Sequence, residues 1–167
     1  MILVGIDPGL NLTGYACVEV TTGDPEPRLL EAGVIRMTRG ESMPARLGHL
    51  FEQLEAVFEE FAPGKVVVES IFSHRSFQKA GLLMGHARGV VLLAAQRRGV
   101  GTAELAPAEV KRALTGNGRA TKAQMQQAVM VQCGLPEPPS PPDVADAIAI
   151  ALCAGRREHL EAAPAVD

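Results

Sequence analysis

Four carboxylic acids stand at the ends of predicted structural elements. Asp7 and Glu69 each follow a short apolar run of strand character. Asp143 and Asp146 lie three residues apart at the start of the last predicted helix, and this spacing places them on one face. A carboxylate directly after a buried strand is held at the edge of a sheet. If the strands before Asp7 and Glu69 are parallel neighbours, the two acids emerge side by side.

Four carboxylates in one place repel one another and destabilise a fold unless a positive charge lies between them. Mg²⁺ prefers carboxylate oxygens together with water and phosphate oxygens. Two such ions about 4 Å apart can activate a water molecule and stabilise the leaving oxygen of a phosphodiester. The joint placement of the acids therefore predicts metal-dependent phosphodiester cleavage. Taken singly, Asp7 is equally a turn residue in Asp-Pro-Gly, and Asp143 is equally an N-cap.

Apolar periodicity predicts the elements that must position these acids. Short runs bounded by Gly and Pro predict strands, the first three as an antiparallel meander, and an i, i+3, i+4 pattern predicts helices. The predicted strands are residues 2–6, 13–20, 29–37, 65–68 and 100–105. The predicted helices are residues 47–61, 77–98, two segments that begin near Pro107 and Thr121, and residues 144–153. This is a mixed α/β layout with one domain over residues 1–154, and residues 155–167 are expected to fray.

Charge is distributed unevenly along the chain. The net formal charge of −3 argues against a nucleic-acid ligand, because phosphate contacts need Lys and Arg. Residues 1–64 hold 4 basic and 10 acidic residues, residues 65–132 hold 10 and 3, and residues 133–167 hold 2 and 6. A basic block between two acidic ones indicates a polyanionic partner, although chance clustering of surface charge gives the same pattern.

Three glycines share one face of the helix predicted over residues 77–98. Gly81, Gly85 and Gly89 fall four residues apart. Glycine in a helix interior costs about 1 kcal/mol relative to alanine, so another backbone is expected to approach this face closely. That backbone could belong to this chain or to a second subunit, and the sequence slightly favours this chain because most close-packed glycines are internal.

The composition favours a soluble, cytoplasmic protein. No apolar run approaches the ~20 residues that span a bilayer, and the first residues lack the features of a signal peptide. Cys17, Cys133 and Cys153 show no CxxC or metal-finger spacing. We interpret them as core thiols in a reducing compartment.

Several segments resemble motifs of the RuvC family of Holliday-junction resolvases. Residues 5–15, Gly-Ile-Asp-Pro-Gly-Leu-Asn-Leu-Thr-Gly-Tyr, are similar to its first hairpin. Residues 68–72 resemble the second acidic motif of the family, and residues 85–90 resemble the helix that follows it. Residues 106–111 and 116–118 resemble its basic region, and residues 143–149 resemble its terminal acidic motif. The similarity spans residues 2 to about 153, in order and with matching gaps.

The resemblance implies a ribonuclease-H-like fold, with a mixed five-stranded sheet flanked by helices. It implies a homodimer that nicks two strands symmetrically across a four-way DNA junction, in recombination and repair, with the RuvA–RuvB branch-migration complex as a candidate partner. It assigns Asp7, Glu69, Asp143 and Asp146 to catalysis and to two Mg²⁺ ions, for which Mn²⁺ can substitute. Some members carry His at the position of Asp143, so this residue is either a metal ligand or a general base. The Gly-rich helix would lie near the dimer interface, which reverses the preference for internal packing.

The resemblance also assigns DNA contacts. Phe72, in the loop after Glu69, would stack on an exposed base, which is worth about 1–3 kcal/mol, and Arg75 in the same loop would hold phosphate. Lys111 and Lys122 align with family lysines near the scissile phosphate or the DNA backbone. A core position for the aromatic residue and a solvated position for each cation are the alternatives. The assigned residues are Phe72, Arg75, Lys79, Lys111, Arg112, Arg119 and Lys122.

Three other functions stay open from the sequence. Actin-like kinases and ATPases open with a similar hairpin, but they need a second domain for which this chain is too short. A ribonuclease-H-like family that acts on ribosomal RNA precursors shares Gly-Ile-Asp but is usually shorter and lacks the basic middle segment. A non-catalytic junction-binding protein would need at least one broken acidic position, and all four acids are present.

Overall fold

The computed structural model describes residues 1–70 and 78–162. Each strand and helix predicted from the sequence is present within these residues, which confirms the mixed α/β layout. In chain order the elements are β1 (Ile2–Asp7), β2 (Leu12–Glu19), β3 (Arg28–Arg36), α1 (Met43–Phe61), β4 (Lys65–Glu69), α2 (Gln78–Arg97), β5 (Gly101–Leu105), α3 (Pro107–Thr115), α4 (Lys122–Cys133) and α5 (Pro142–Ala162).

The five strands form one sheet in the order β3-β2-β1-β4-β5. β2 runs antiparallel to β1 and β3, which confirms the predicted meander. β4 is parallel to β1, and β5 is parallel to β4. The carboxyl ends of β1, β3, β4 and β5 therefore meet at one edge of the sheet, which we call the carboxyl edge.

Side-chain alternation along the strands sorts the core into two layers. Leu3 and Val67 pack with α5 and with the buried residues of α3 and α4. Val4, Ile6 and Val66 pack on the opposite face, with α1 and α2. Both faces of the central strands are covered, which explains why their sequences are continuous apolar runs.

Small residues let the backbone of α5 lie close against β1 and β2. A Cβ atom built on Gly5 would lie 2.7 Å from the carbonyl oxygen of Ala147. One built on Gly14 would overlap the carbonyl oxygen of Asp143 and lie 2.8 Å from its carbonyl carbon. Because Gly14 is the register partner of Asp7, this contact brings the start of α5 to the strand position beside Asp7.

The ends of the last two helices test the predicted caps. Thr121 caps α4 as predicted, since its hydroxyl accepts from the backbone N–H of Gln124 at 3.3 Å. α5 begins at Pro142, so Asp143 lies in the first turn and the N-cap interpretation of Asp143 is wrong.

α5 also continues nine residues past the predicted end near Cys153, so the expected fraying is wrong for residues 155–162. Lys65 of β4 pairs with Glu158 and anchors this extension. Residues 163–167 lie outside the described part.

The glycine face of α2 meets no internal partner among the described residues. A Cβ atom built on Gly81, Gly85 or Gly89 would have nothing within 4 Å outside its own helix backbone. The preference for packing against this chain is therefore wrong.

Cys17 and Cys153 are buried and Cys133 is half-buried, and all three are free thiols. No described helix is both long and apolar enough to cross a bilayer.

Candidate active site

Asp7 and Glu69 end two adjacent parallel strands at the carboxyl edge. Ile6 pairs with Val68 in the β1–β4 register, so Asp7 and Glu69 occupy the next position on each strand. Alternation places both acids on the face of the sheet that α5 covers, in phase with Val67. The side-by-side arrangement expected from the two apolar runs is present.

The first two turns of α5 carry the other two acids to the same edge. The backbone of Asp143 rests on Gly14, whose register partner is Asp7. Asp146 lies three residues further along the helix, on the same face as Asp143. The four acids thus approach one another from two strands and one helix.

Burial and mutual repulsion raise the pKa values of three of these acids. The pKa of Asp7 rises from 3.8 to about 7, first because the carboxyl is buried and then because Glu69, Asp146 and Asp143 lie near it. Burial also raises the pKa of Glu69, with a further contribution from Asp146. Burial raises the pKa of Asp146, and Asp143 adds to this shift. The acids therefore form one electrostatically coupled group.

Two lysines oppose this concentration of negative charge. The Nζ atom of Lys122, at the start of α4, lies 3.8 Å from a carboxylate oxygen of Asp146. Lys111 of α3 lowers the pKa of both Glu69 and Asp146, as does Lys122. The side chain of Lys122 is 74% exposed, so its cation can reach an anionic ligand as well as Asp146.

The donor chemistry of this group fits a hard divalent cation. Carboxylate oxygens are the ligands that Mg²⁺ and Mn²⁺ prefer, and a cation among buried acids would remove the repulsion that raises their pKa values. Within residues 1–70 and 78–162, no three Asp, Glu, His or Cys side chains are gathered tightly enough to form a ready-made metal cluster.

Among the remaining predicted DNA contacts, the structure describes the side chains of two. Arg112 and Arg119 are exposed and line an open cavity of about 400 Å³ around the Gly116–Gly118 loop, and neither contributes to the pKa shifts of the acids. The structure therefore brings Lys111 and Lys122, but not these two arginines, to the carboxylates. Phe72 and Arg75 lie outside the described residues, as does the side chain of Lys79.

Two further residues hold the turn that follows Asp7, and the sequence did not reveal them. The hydroxyl of buried Thr13 donates to the carbonyl of Gly9 at 2.7 Å and accepts from its N–H at 3.2 Å. Arg46 of α1 donates to the carbonyl of Leu10 and, at 2.7 Å, to the side-chain oxygen of Asn11. Arg46 is 35 residues from Asn11, so no local pattern could have linked them.

Comparisons with known proteins agree on one family. The family model for the crossover junction endodeoxyribonuclease RuvC matches residues 3–154. RuvC of Rhodopirellula baltica is 46% identical over 151 residues, which is 90% of this chain and 84% of that protein. RuvC of Heliobacterium modesticaldum is 43% identical over 153 residues, 92% of this chain and 93% of that protein.

Solved structures lead to the same family. RuvC of Thermus thermophilus aligns with a TM-score of 0.85 and 34% identity over 96% of this chain and 97% of that chain. The same protein in complex with a Holliday junction substrate aligns with a TM-score of 0.87 over 96% of each chain. The five-stranded sheet flanked by helices is accordingly ribonuclease-H-like. This chain belongs to the RuvC family of crossover junction endodeoxyribonucleases.

Proposed function

We propose that this protein resolves four-way DNA junctions by symmetric paired nicks, in recombination and DNA repair. The observation that carries the proposal is the approach of Asp7, Glu69, Asp143 and Asp146 toward one sheet edge from two strands and one helix, where Lys111 and Lys122 act on them. A relative with the same fold, RuvC of Thermus thermophilus, binds a Holliday junction substrate. Contact with the RuvA–RuvB complex stays a prediction from the family resemblance.

The four acids would hold divalent ions, and we propose two Mg²⁺ ions per site. Such ions, when bound, polarise the scissile phosphate and lower the pKa of a water molecule. The chain itself supplies a partly buried set of oxygen donors, in which desolvation strengthens the attraction for a cation. Asp143, in the first turn of α5, is either a further ligand or the group that accepts a proton from water.

Lys111 and Lys122 would orient the scissile phosphate over the acids. Each cation already acts on the carboxylates from the α3–α4 side of the site. A phosphate drawn between these lysines replaces part of their interaction with Glu69 and Asp146. The lysines would therefore bind the substrate and keep the excess negative charge of the site from repelling it.

Incubation of the purified protein with a synthetic four-way junction tests the proposal. We expect two nicks at symmetry-related positions, dependent on Mg²⁺, and no comparable cleavage of a linear duplex of the same sequence. A structured RNA in the same assay separates the ribosomal-RNA alternative, since that enzyme would cut the RNA and spare the junction. Tight junction binding without nicks in Mg²⁺ or Mn²⁺ would instead support a non-catalytic binding protein.

Neutralising the basic end of α3 should weaken DNA binding and its dependence on salt. For Lys111→Ala/Arg112→Ala we expect the slope of log K against log salt to fall by about 1–2, because each lost phosphate contact removes about 0.9 from the slope. Fluorescence anisotropy with a labelled junction in EDTA measures this. Arg28→Ala/Arg98→Ala is the charge-matched control, since Arg28 pairs with Glu19 and Arg98 pairs with Glu55 and Glu59. Equal slopes for the two double variants would show that α3 faces away from DNA.

We propose that the homodimer forms through the open face of α2. Leu82, Gly85, Gly89 and Leu93 recur every three or four residues and are all exposed, so they line one face. Leu82 is 66% and Leu93 is 55% exposed, so this face presents two large apolar side chains to solvent. The missing Cβ atoms of the glycines would let a second helix approach closely.

Charges on this face should prevent the dimer. We expect Leu82→Glu/Leu93→Glu to elute as a monomer in size-exclusion chromatography with light scattering, at concentrations where the wild type is a dimer. Leu160→Glu is the matched control, since Leu160 is 73% exposed on α5. A double variant that remains dimeric would place the interface elsewhere.

A further inference from the structure

Several acids of the N-terminal third, unlike Asp7, lie away from the carboxyl edge. Glu19 ends β2 at the opposite edge and pairs with Arg28 at 2.7 Å. Glu26, in the β2–β3 connection at that same edge, pairs with Arg156 at 2.7 Å. On the later turns of α1, two more glutamates, Glu55 and Glu59, pair with Arg98. These four paired glutamates therefore contribute little negative charge near the active site.

Three of the four arginines in residues 1–64 lie at or next to the carboxyl edge, and the fourth, Arg28, lies at the opposite edge. Arg36 is the last residue of β3 and pairs in register with Leu12, at the start of β2. The backbone N–H of the next residue, Met37, donates to the carbonyl of Asn11 at 3.1 Å. Arg46, at the end of the first turn of α1, donates to the side chain of Asn11. Residues 36–46 are thus fastened at both ends to the turn that follows Asp7.

Arg36 and Arg39 are free to meet an anion. Both are exposed, and neither forms an ion pair with any residue in the described ranges. Ile35 packs in the layer of α1 and α2 and Val34 in the layer of α5, so alternation places Arg36 on the α5 side. That side also carries Asp7 and Glu69. Among residues 36–46 the single acid is Glu41, against three arginines.

We propose that Arg36 and Arg39, on a segment fixed by Arg46, form a second DNA-contact surface that binds backbone phosphates of a junction arm. We call these three residues the β3 basic surface. The inference rests on the proposed function. In the sheet order, β1 and β4 carry Asp7 and Glu69 in the centre, with β3 on one side and β5, which leads to α3, on the other. The β3 basic surface and the lysines of α3 and α4 therefore flank the acids on opposite sides.

The spacing suits a nucleic-acid strand. β3 lies two strands from β1, or about 10 Å at the usual strand separation. One strand of duplex DNA rises about 3.4 Å per nucleotide, so about three nucleotides cover this distance. A strand whose scissile phosphate lies over the acids would place a phosphate near Arg36 while Lys111 and Lys122 hold the other side.

Junction binding by Arg36→Ala/Arg39→Ala tests the inference. Arg46 is left in place because it holds the turn after Asp7. In EDTA we expect the affinity for a labelled four-way junction to fall about tenfold or more at 0.1 M salt, and the slope of log K against log salt to fall by about 1–2. Arg28→Ala, at the other end of β3, is the matched control and should bind within about twofold of the wild type.

The outcomes separate this inference from the proposed function. A wild type that neither binds nor cuts the junction refutes the proposed function and this inference together. A wild type that cuts the junction, combined with a double variant whose affinity and salt slope equal those of Arg28→Ala, refutes the β3 basic surface alone. An unchanged melting temperature of the double variant assigns any loss of affinity to the removed charges.

Discussion

Asp7→Asn should abolish junction cleavage, with a nicking rate at least about 10³-fold below that of the wild type, while junction binding in EDTA stays within a few-fold. The amide preserves the shape of the side chain at the end of β1 but removes the charge that would attract a cation. Charge stabilisation by a bound metal is worth several kcal/mol in a transition state, and about 4 kcal/mol corresponds to 10³-fold. Single-turnover cleavage of a synthetic junction in Mg²⁺ measures the rate.

An exposed acid provides the control for this result. Asp24 lies in the β2–β3 connection, at the edge opposite the active site, and Asp24→Asn should cut at the wild-type rate. Glu69→Gln should reproduce the defect of Asp7→Asn, because its carboxyl lies in the same coupled group. If Asp7→Asn cut as fast as the wild type, the acids would have no catalytic role and the metal site proposed for them would be wrong.

The strand positions of the acids could be predicted because burial on both faces leaves a clear signal. The apolar runs before Asp7 and Glu69 are continuous since α5 covers one face of β1 and β4 and α1 and α2 cover the other. Each run ends where a carboxylate begins, and parallel neighbours end at one edge. The apolar stripes predicted the helix ends less well. α1 begins at Met43, ahead of its apolar stripe, because Ser42 caps it and Pro44 fits its first turn.

The contacts that bring α5 to the strands could not be predicted from spacing. Gly5 and Gly14 lie on strands far from α5 in the sequence. Each lets the backbone of α5 approach the sheet because it has no Cβ atom. From the sequence Asp143 is also a candidate N-cap, a role that the helix start at Pro142 excludes. The convergence of the acids depends on long-range packing between small residues. A single sequence does not identify such pairs.

The net charge of a sequence window did not predict where its arginines lie in the fold. The window of residues 1–64 is acidic, but β2 and β3 carry its charges to opposite edges of the sheet. Arg36 and Arg28 belong to one strand and lie at opposite ends of it, one beside the active site and the other paired with Glu19. Net charge per window describes the partner of a protein only where the fold keeps that window on one surface.

The acids that would hold metal should destabilise the protein when metal is removed, and increasingly so as the pH rises. Below about pH 4, Asp7 is protonated in the folded and the unfolded chain. Between its unfolded pKa of 3.8 and its folded pKa of about 7, only the folded chain keeps the proton, so the free energy of unfolding falls with rising pH. Above about pH 7 the folded state carries the full cost of the raised pKa, about 4 kcal/mol. Urea unfolding in EDTA at a series of pH values measures this.

Asp7→Asn should remove this cost, so the variant that cannot cut should be the more stable protein. At pH 8 in EDTA we expect its free energy of unfolding to exceed that of the wild type by about 2–4 kcal/mol, and at pH 4 we expect no gain. Mg²⁺ should raise the stability of the wild type at pH 8, since a ligand that binds only the folded state adds RT ln(1 + [L]/Kd), and should raise that of the variant less. Asp24→Asn, an exposed acid, should follow the wild type under every condition. Equal stabilities of Asp7→Asn and wild type at pH 8 would mean that Asp7 is not held among repelling charges, and the reason for expecting a cation there would be lost.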